Sequence, residues 1–282
     1  MQLKPALTAA IGRLEAAHIG SPRLNAETLL MFALGVNRAY LYAHPEQELR
    51  AEEQARYDDL IAQRSAGMPA QYITGHREFW GLDFVVSPAV LIPRPETEHL
   101  VETVLELARE VPQPRIVDVG TGSGCIALAL AHELKRAEIY AVDLSSEALE
   151  IAQANAAGLQ LDGRVHFLQS NVLEALIDRR DFDFVVGNPP YVGFNEADKV
   201  QRSVFEYEPR MAVFAGDNGL DVIRPLIAQA HTILKPGAWL AMEIGYSMRD
   251  VVLALLDLAL WQEPSVVPDL QGIPRVVAAS KL

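Results

Sequence analysis

Arg115-Ile116-Val117-Asp118-Val119-Gly120-Thr121-Gly122-Ser123-Gly124-Cys125 runs from a strand-like apolar stretch into glycines at every second position. Such a strand, ending in a glycine loop that opens a helix, marks a turn where backbone N–H groups approach a ligand. Strands and helices alternate downstream. Strands are predicted over Arg115–Val119, Glu138–Val142, Val165–Leu168, Asp183–Gly187 and Ala238–Ile244, with helices at about 124–134, 146–157, 219–234 and 247–259. Val266, Val267, Val276 and Val277, around Gly272 and Pro274, predict a closing pair of strands. This order predicts an α/β fold with a mostly parallel, doubly wound sheet covered by helices on both faces.

Upstream the period changes. Leu3, Leu7, Ile11 and Leu14 form one apolar stripe at helical spacing. Ser21-Pro22 reads as a cap and first helical residue before Leu24, Leu29, Leu30 and Leu34. Tyr57, Leu60 and Ile61 mark a further helix that ends near Gly67. Tyr72, Phe79, Trp80, Phe84 and Val86, broken by Gly75, Gly81 and Pro88, predict a short hairpin connector. The expected organisation is therefore a small helical bundle over residues 1–70, a connector over 71–95 and an α/β domain over 96–282. Pro93-Arg94-Pro95-Glu96-Thr97-Glu98 enters the α/β domain, with extended backbone enforced by its prolines. Glu96 and Glu98 suit the first turn of a helix through its dipole, or else belong to a site.

Composition narrows the function. Hydrophobic residues make up 50% and charged residues 22% of 282, ordinary for a globular chain with a sizeable core. No apolar run matches a bilayer or a signal segment, so a cytoplasmic protein without a membrane partner is expected. The single cysteine excludes an internal disulfide, and no Cys/His spacing implies a metal. Cys125 reads as a small packing residue. A net charge of −13 weighs against a surface that neutralises phosphates and favours a protein or small-molecule partner over nucleic acid.

In a parallel sheet the informative residues follow the strands. The glycine loop, Gly120, Thr121, Gly122, Ser123 and Gly124, follows the first. Its Gly-x-Gly-x-Gly spacing departs from the Gly-x-Gly-x-x-Gly of dinucleotide binding, so a nicotinamide-dependent dehydrogenase is the weaker reading. Asp143 follows the second strand, nineteen residues after Gly124, about where a carboxylate meets ribose hydroxyls. A helix cap before Leu144-Ser145-Ser146 is its structural alternative. Asn171, after the third, can donate and accept toward an adenine edge or serve a simple turn.

Asn188-Pro189-Pro190-Tyr191 follows the fourth strand and is the most specific string in the chain. The prolines fix backbone direction and lack N–H groups, Asn188 adds a side-chain carbonyl, and Tyr191 adds a flat face. Asn188 Oδ1 and the Pro189 carbonyl suit the two N–H groups of a planar amide or aromatic amine. Such a nitrogen is a poor nucleophile, so catalysis comes from orientation and from stabilising the charge that develops on it. A methyl on a sulfonium, as in S-adenosylmethionine, requires no strong base before attack. Asn188 and Pro189 are thus the candidate catalytic residues. The motif alone leaves adenine in DNA open as an alternative acceptor.

Taken together these residues resemble the bacterial peptide chain release factor N5-glutamine methyltransferases over nearly the whole chain. The resemblance rests on Asp118–Gly124 and Asn188–Tyr191. It also rests on Gln71-Tyr72-Ile73-Thr74-Gly75, Glu78-Phe79, Leu91–Glu98, Asp269-Leu270, Gly272 and Arg275. It implies a class I methyltransferase sheet, S-adenosylmethionine as donor, no metal, and the glutamine of the Gly-Gly-Gln motif of class 1 release factors as acceptor. It also implies that Gly120–Gly124, Asp143, Asn171, Val172 and Asn188 line the cofactor pocket and that Asn188, Pro189, Pro190 and Tyr191 bind glutamine. That family commonly carries Asp then an aromatic where this chain has Asn171-Val172. Sister enzymes that methylate a ribosomal protein share Asn-Pro-Pro-Tyr but differ across Pro93–Glu98, which favours the release factor as substrate. A nonenzymatic binding protein is disfavoured by the presence of every residue that transfer needs.

Overall fold

The computed structural model describes all 282 residues, which form two compact units. The smaller comprises residues 1–76 together with 201–207. Helices Leu3–Ala16, Pro22–Leu34 and Ala51–Ser65 bury Leu3, Leu14, Leu29, Leu30, Tyr57 and Ile61 against one another, as their spacing predicts. Three short helices, Arg38–Ala43, Ala70–Thr74 and Arg202–Tyr207, complete it. The first has Asn37 as its cap, with Oδ1 accepting from Tyr40 N. Ser21 differs from the expected cap. It lies in the left-handed region at φ 51 and its side chain makes no capping bond, so Pro22 alone sets the start of that helix.

The larger unit, residues 77–200 and 208–282, holds the sheet. Strands β1 (His76–Phe79) and β2 (Leu82–Val85) form a separate two-stranded hairpin. The main sheet contains β3 (Arg115–Val119), β4 (Glu138–Asp143), β5 (Val165–Gln169), β6 (Phe182–Gly187), β7 (Leu234–Glu243), β8 (Ser265–Pro268) and β9 (Pro274–Ser280). Their order is β5-β4-β3-β6-β7-β9-β8. The first five are parallel, while β9 runs antiparallel between β7 and β8. The chain winds outward from β3 to β5 on one side and from β6 onward on the other, so the order reverses between β3 and β6. Buried residues form a cluster on each face. Ile116, Leu128, Phe184 and Val186 belong to one, Val117, Val185, Leu226 and Trp261 to the other, giving the doubly wound, two-sided burial that the alternation predicts.

Two elements differ from their sequence reading. β7 starts at Leu234, ahead of the expected Ala238, because Leu234 already pairs with Phe182 of β6 before a register shift, and Lys281 continues the ladder by accepting from Gly237 N and donating to Ala238 O. The helix expected over 247–259 is regular only over Arg249–Leu253. Beyond it, three-residue bonds from Leu255, Leu256 and Leu260 N–H groups tighten the chain into turns. No helix is long and apolar enough to cross a membrane.

The hairpin is part of the core of the larger unit, with Phe79 and Phe84 buried beside Leu100 and Val104. One buried side chain fixes it. Asn155 Oδ1 accepts from Val85 N at 2.7 Å, and its Nδ2 donates to Val85 O at 3.0 Å and Ser123 O at 2.9 Å. The hairpin and the glycine loop therefore share one amide. Asn155→Ala would strand three backbone groups and is expected to cost roughly 2–4 kcal/mol. A denaturant midpoint within error of the parent would refute this role.

Candidate active site

The carboxyl ends of the parallel strands surround a cavity of about 350 Å³. Four strand-end loops line it: Gly120–Ser123, Asp143–Ser145, Ser170–Val172 and Asn188–Pro190. They meet because the strands that carry them are neighbours in register, Val119 beside Gly187 and Asp143 beside Gln169. Gly187 has to be glycine, since a Cβ there would sit 2.5 Å from Val119 O.

Gly120, Gly122 and Gly124 all adopt positive φ, at 70, 55 and 82 degrees, which explains the alternating glycines. Gly124 does not line the cavity. It packs beneath it, where an added Cβ would meet Leu128 at 3.1 Å and Ala152 at 3.2 Å. Asp118 is fully buried under the loop; its Oδ2 accepts from Thr121 Oγ1 at 2.6 Å and Ala127 N at 3.2 Å, while Oδ1 has no partner within the chain. Asp143 ties the loop to β4, with Oδ2 accepting from Gly122 N and Oδ1 from Ser145 N, both at 2.9 Å. The helix cap is instead Ser145, whose Oγ accepts from Ala148 N. Burial raises the Asp143 carboxyl above its usual range, against the backbone N–H groups that favour its charge.

Asn171 is exposed and its Nδ2 donates to Glu174 Oε1 at 2.8 Å. Val172 is buried and lines the cavity at φ 52, a left-handed conformation rare for a β-branched residue. Backbone strain of this kind gathers at binding sites. Cys125 also borders the cavity, and burial pushes its thiol up to about 12, which fits packing rather than nucleophilic chemistry.

Asn188 sits at the cavity with its Nδ2 donating to Thr97 Oγ1 at 3.2 Å. Thr97 in turn donates to Glu243 Oε2 at 2.6 Å, with both residues buried. Pro189 and Pro190 line the cavity beside Asn188. Tyr191 does not. Its ring packs where Gly245 leaves space, and burial pushes its hydroxyl up to about 12. Of the two acids flanking Thr97, Glu98 has a structural partner, accepting from Trp80 N at 2.9 Å. Arg94 lines the cavity and pairs with buried Glu208 at 2.5 Å.

Sequence reasoning missed Thr97, Glu243 and the wall formed by Pro209, Met211, Ala212, Phe214, Ala215, Gly216, Asp221 and Val222. Only Gly216-Asp217-Asn218-Gly219, a cluster of turn formers, marked that wall in the sequence.

The cavity is of nucleoside size, and it offers a glycine loop held in left-handed turns and a carboxylate after β4. That chemistry fits the sugar and amino-acid parts of S-adenosylmethionine. Fold and cavity together define a class I S-adenosylmethionine-dependent methyltransferase. Comparison with known proteins specifies which kind. The PrmC N-terminal domain family matches residues 5–75 and the methyltransferase small domain family residues 96–211. A release factor glutamine methyltransferase of Koribacter versatilis is 58% identical over 281 residues, covering 100% of this chain and 99% of the relative. One from Moorella thermoacetica is 44% identical, covering 99% and 98%. The solved catalytic domain of hMettl16 in complex with MAT2A 3′UTR hairpin 6 shares the fold at 18% identity and a TM-score of 0.59, over 79% of this chain and 82% of that one. The chain belongs to the release factor glutamine methyltransferase family.

Burial pushes the Glu243 carboxyl up to about 7, opposed by its Thr97 hydrogen bond and by Arg275. In the unfolded chain a glutamate titrates near 4.3. The folded state therefore binds more protons across the window from about 4 to 7, and this group's contribution to stability is lost as pH rises through it. Glu243→Gln removes that loss. The melting temperature of the variant relative to the parent should rise from pH 5 to pH 8; a difference independent of pH would contradict the assignment.

Proposed function

We propose that this chain transfers a methyl group from S-adenosylmethionine to the side-chain nitrogen (N5) of the glutamine in the Gly-Gly-Gln motif of class 1 peptide chain release factors. The observation that carries the reading is the Asn188 amide. Its nitrogen is engaged by Thr97, which leaves the oxygen as the acceptor end toward a cavity bounded by the glycine loop. The family of the chain supplies the identity of the acceptor.

S-adenosylmethionine, when bound, supplies an electrophilic methyl on a sulfonium. Gly120, Thr121, Gly122, Ser123 and Gly124 shape its binding loop, Asp143 accepts from ribose hydroxyls, and Asn171 and Val172 bound the adenine. Asn188 borders both ligands. Asn188 Oδ1 and the Pro189 carbonyl accept the two N–H groups of the glutamine amide, and Pro190 and Tyr191 complete the glutamine-binding segment. As the N–C bond formed and the methyl–sulfur bond broke, releasing S-adenosylhomocysteine, the nitrogen would become positive and the two carbonyl oxygens would stabilise it. Its proton is acidic only then and leaves to solvent, so no strong base is needed.

Residues 1–70 act in this reading as a docking module for the release factor, 71–95 as a connector and 96–282 as the methyltransferase domain. The chain's charge of −13 supports a protein substrate rather than a nucleic acid gripped through its phosphates.

Asn188→Ala should lower kcat on a release factor by about 100-fold or more while the Kd for S-adenosylmethionine stays within about threefold. Asp143→Ala should give the opposite split, weakening cofactor binding by about tenfold or more. Rapid-quench kinetics and calorimetric titration of both variants check this, and near-normal turnover by Asn188→Ala would sink the proposal.

A further inference from the structure

Three stretches far apart in the chain converge behind the Asn188 amide. Thr97 comes from the segment that opens the helix after Pro95, Glu243 from the end of β7 and Asn188 from the end of β6. Asn188 Nδ2 lies 3.2 Å from Thr97 Oγ1, and Thr97 Oγ1 lies 2.6 Å from Glu243 Oε2. Thr97 and Glu243 are each only 2% exposed, so water does not compete for these bonds.

A primary amide is nearly symmetric in shape, and nothing steric stops it from rotating by half a turn. Its two ends are chemically opposite. With the oxygen toward the cavity, Asn188 accepts an N–H of the substrate. With the NH₂ toward the cavity, donor faces donor and the nitrogen to be methylated is repelled. The reading proposed above therefore requires something that fixes the rotation.

A hydroxyl has one hydrogen to give. Once Glu243 is ionised, as it is above about pH 7, its oxygens carry no hydrogen, so Thr97 donates to Glu243 and what remains on Thr97 Oγ1 toward Asn188 is a lone pair. A lone pair accepts from Nδ2 and disfavours Oδ1. We infer that Thr97 and Glu243 are positioning residues for methyl transfer, forming a one-way hydrogen-bond relay that holds the Asn188 amide with its oxygen toward the substrate nitrogen. The inference rests on the role of Asn188 proposed above. It gives the Pro93–Glu98 stretch a task at the reacting centre, although neither Glu96 nor Glu98 reaches Asn188 through a hydrogen bond.

Without the relay the amide samples both rotations, and the wrong one must be reversed whenever substrate binds. Losing one oriented acceptor is worth about tenfold or more in kcat. The test is turnover on a release factor by Thr97→Val, which keeps the shape and deletes the hydroxyl. Its kcat should fall at least about tenfold, with the KM for the release factor and the Kd for S-adenosylmethionine within about threefold of the parent. Thr97→Ser should recover to within about threefold. Glu243→Leu, which releases the Thr97 hydrogen to approach Asn188 Oδ1, should lose activity in the same way although it touches no substrate. Should Thr97→Val melt early, Thr97→Ala measured against Thr97→Ser makes the same comparison.

The double variant Thr97→Val/Asn188→Ala separates positioning from a general structural role. A relay that acts through Asn188 predicts no loss beyond that of Asn188→Ala alone. Fully additive losses, or a Thr97→Val kcat within about twofold of the parent, overturn the relay while leaving the role of Asn188 standing. Normal turnover by Asn188→Ala overturns that role and the relay together.

Discussion

Val119 and Gly187 lie side by side in adjacent parallel strands, and the site follows from that pairing. β3 and β6 are the two strands between which the winding reverses, so the loops leaving them diverge and open a crevice at their carboxyl ends. One loop carries the alternating glycines and the other carries Asn188. The approach is so close at Gly187 that a single methyl would strike the neighbouring carbonyl. A donor loop and an acceptor motif separated by more than sixty residues of sequence are thereby brought to the same cavity.

Burial sets the chemistry of what lies behind this crevice. Asp118, Thr97 and Glu243 are withdrawn from water, and the carboxyls of Asp118 and Glu243 are both pushed up to about 7 by that withdrawal. Most of the polar groups there are held by a partner, because an idle one is costly. Asp118 and Asp143 hold the glycine loop in its left-handed turns, and Asn155 anchors the same loop to the hairpin. The strained backbone at Val172 lies in the same wall.

The parts of this arrangement that are legible in the sequence are those encoded locally. Alternating glycines require positive φ whatever surrounds them, two prolines dictate an extended strand exit, and period-two or period-3.6 apolar patterns place the strands and the main helices. Thr97, Glu243 and Asn155 are different. Their partners lie 146 residues away for Thr97 and Glu243, and 70 for Asn155 and Val85, so no local pattern distinguishes them from an ordinary threonine, glutamate or asparagine. Ser21 misleads for a related reason, since the chain enters that helix through a left-handed residue and the serine oxygen never reaches a helical N–H. The neighbour of the Tyr191 ring, Gly245, is likewise set by tertiary contact alone.

The central chemical event proposed here is transfer of a methyl to a glutamine amide held by Asn188 and Pro189. It is tested most directly by mass spectrometry of a class 1 release factor after incubation with this protein and S-adenosylmethionine. A single added methyl on the side chain of the Gly-Gly-Gln glutamine is expected. An unmodified glutamine, or a methyl found only at another residue, would contradict it.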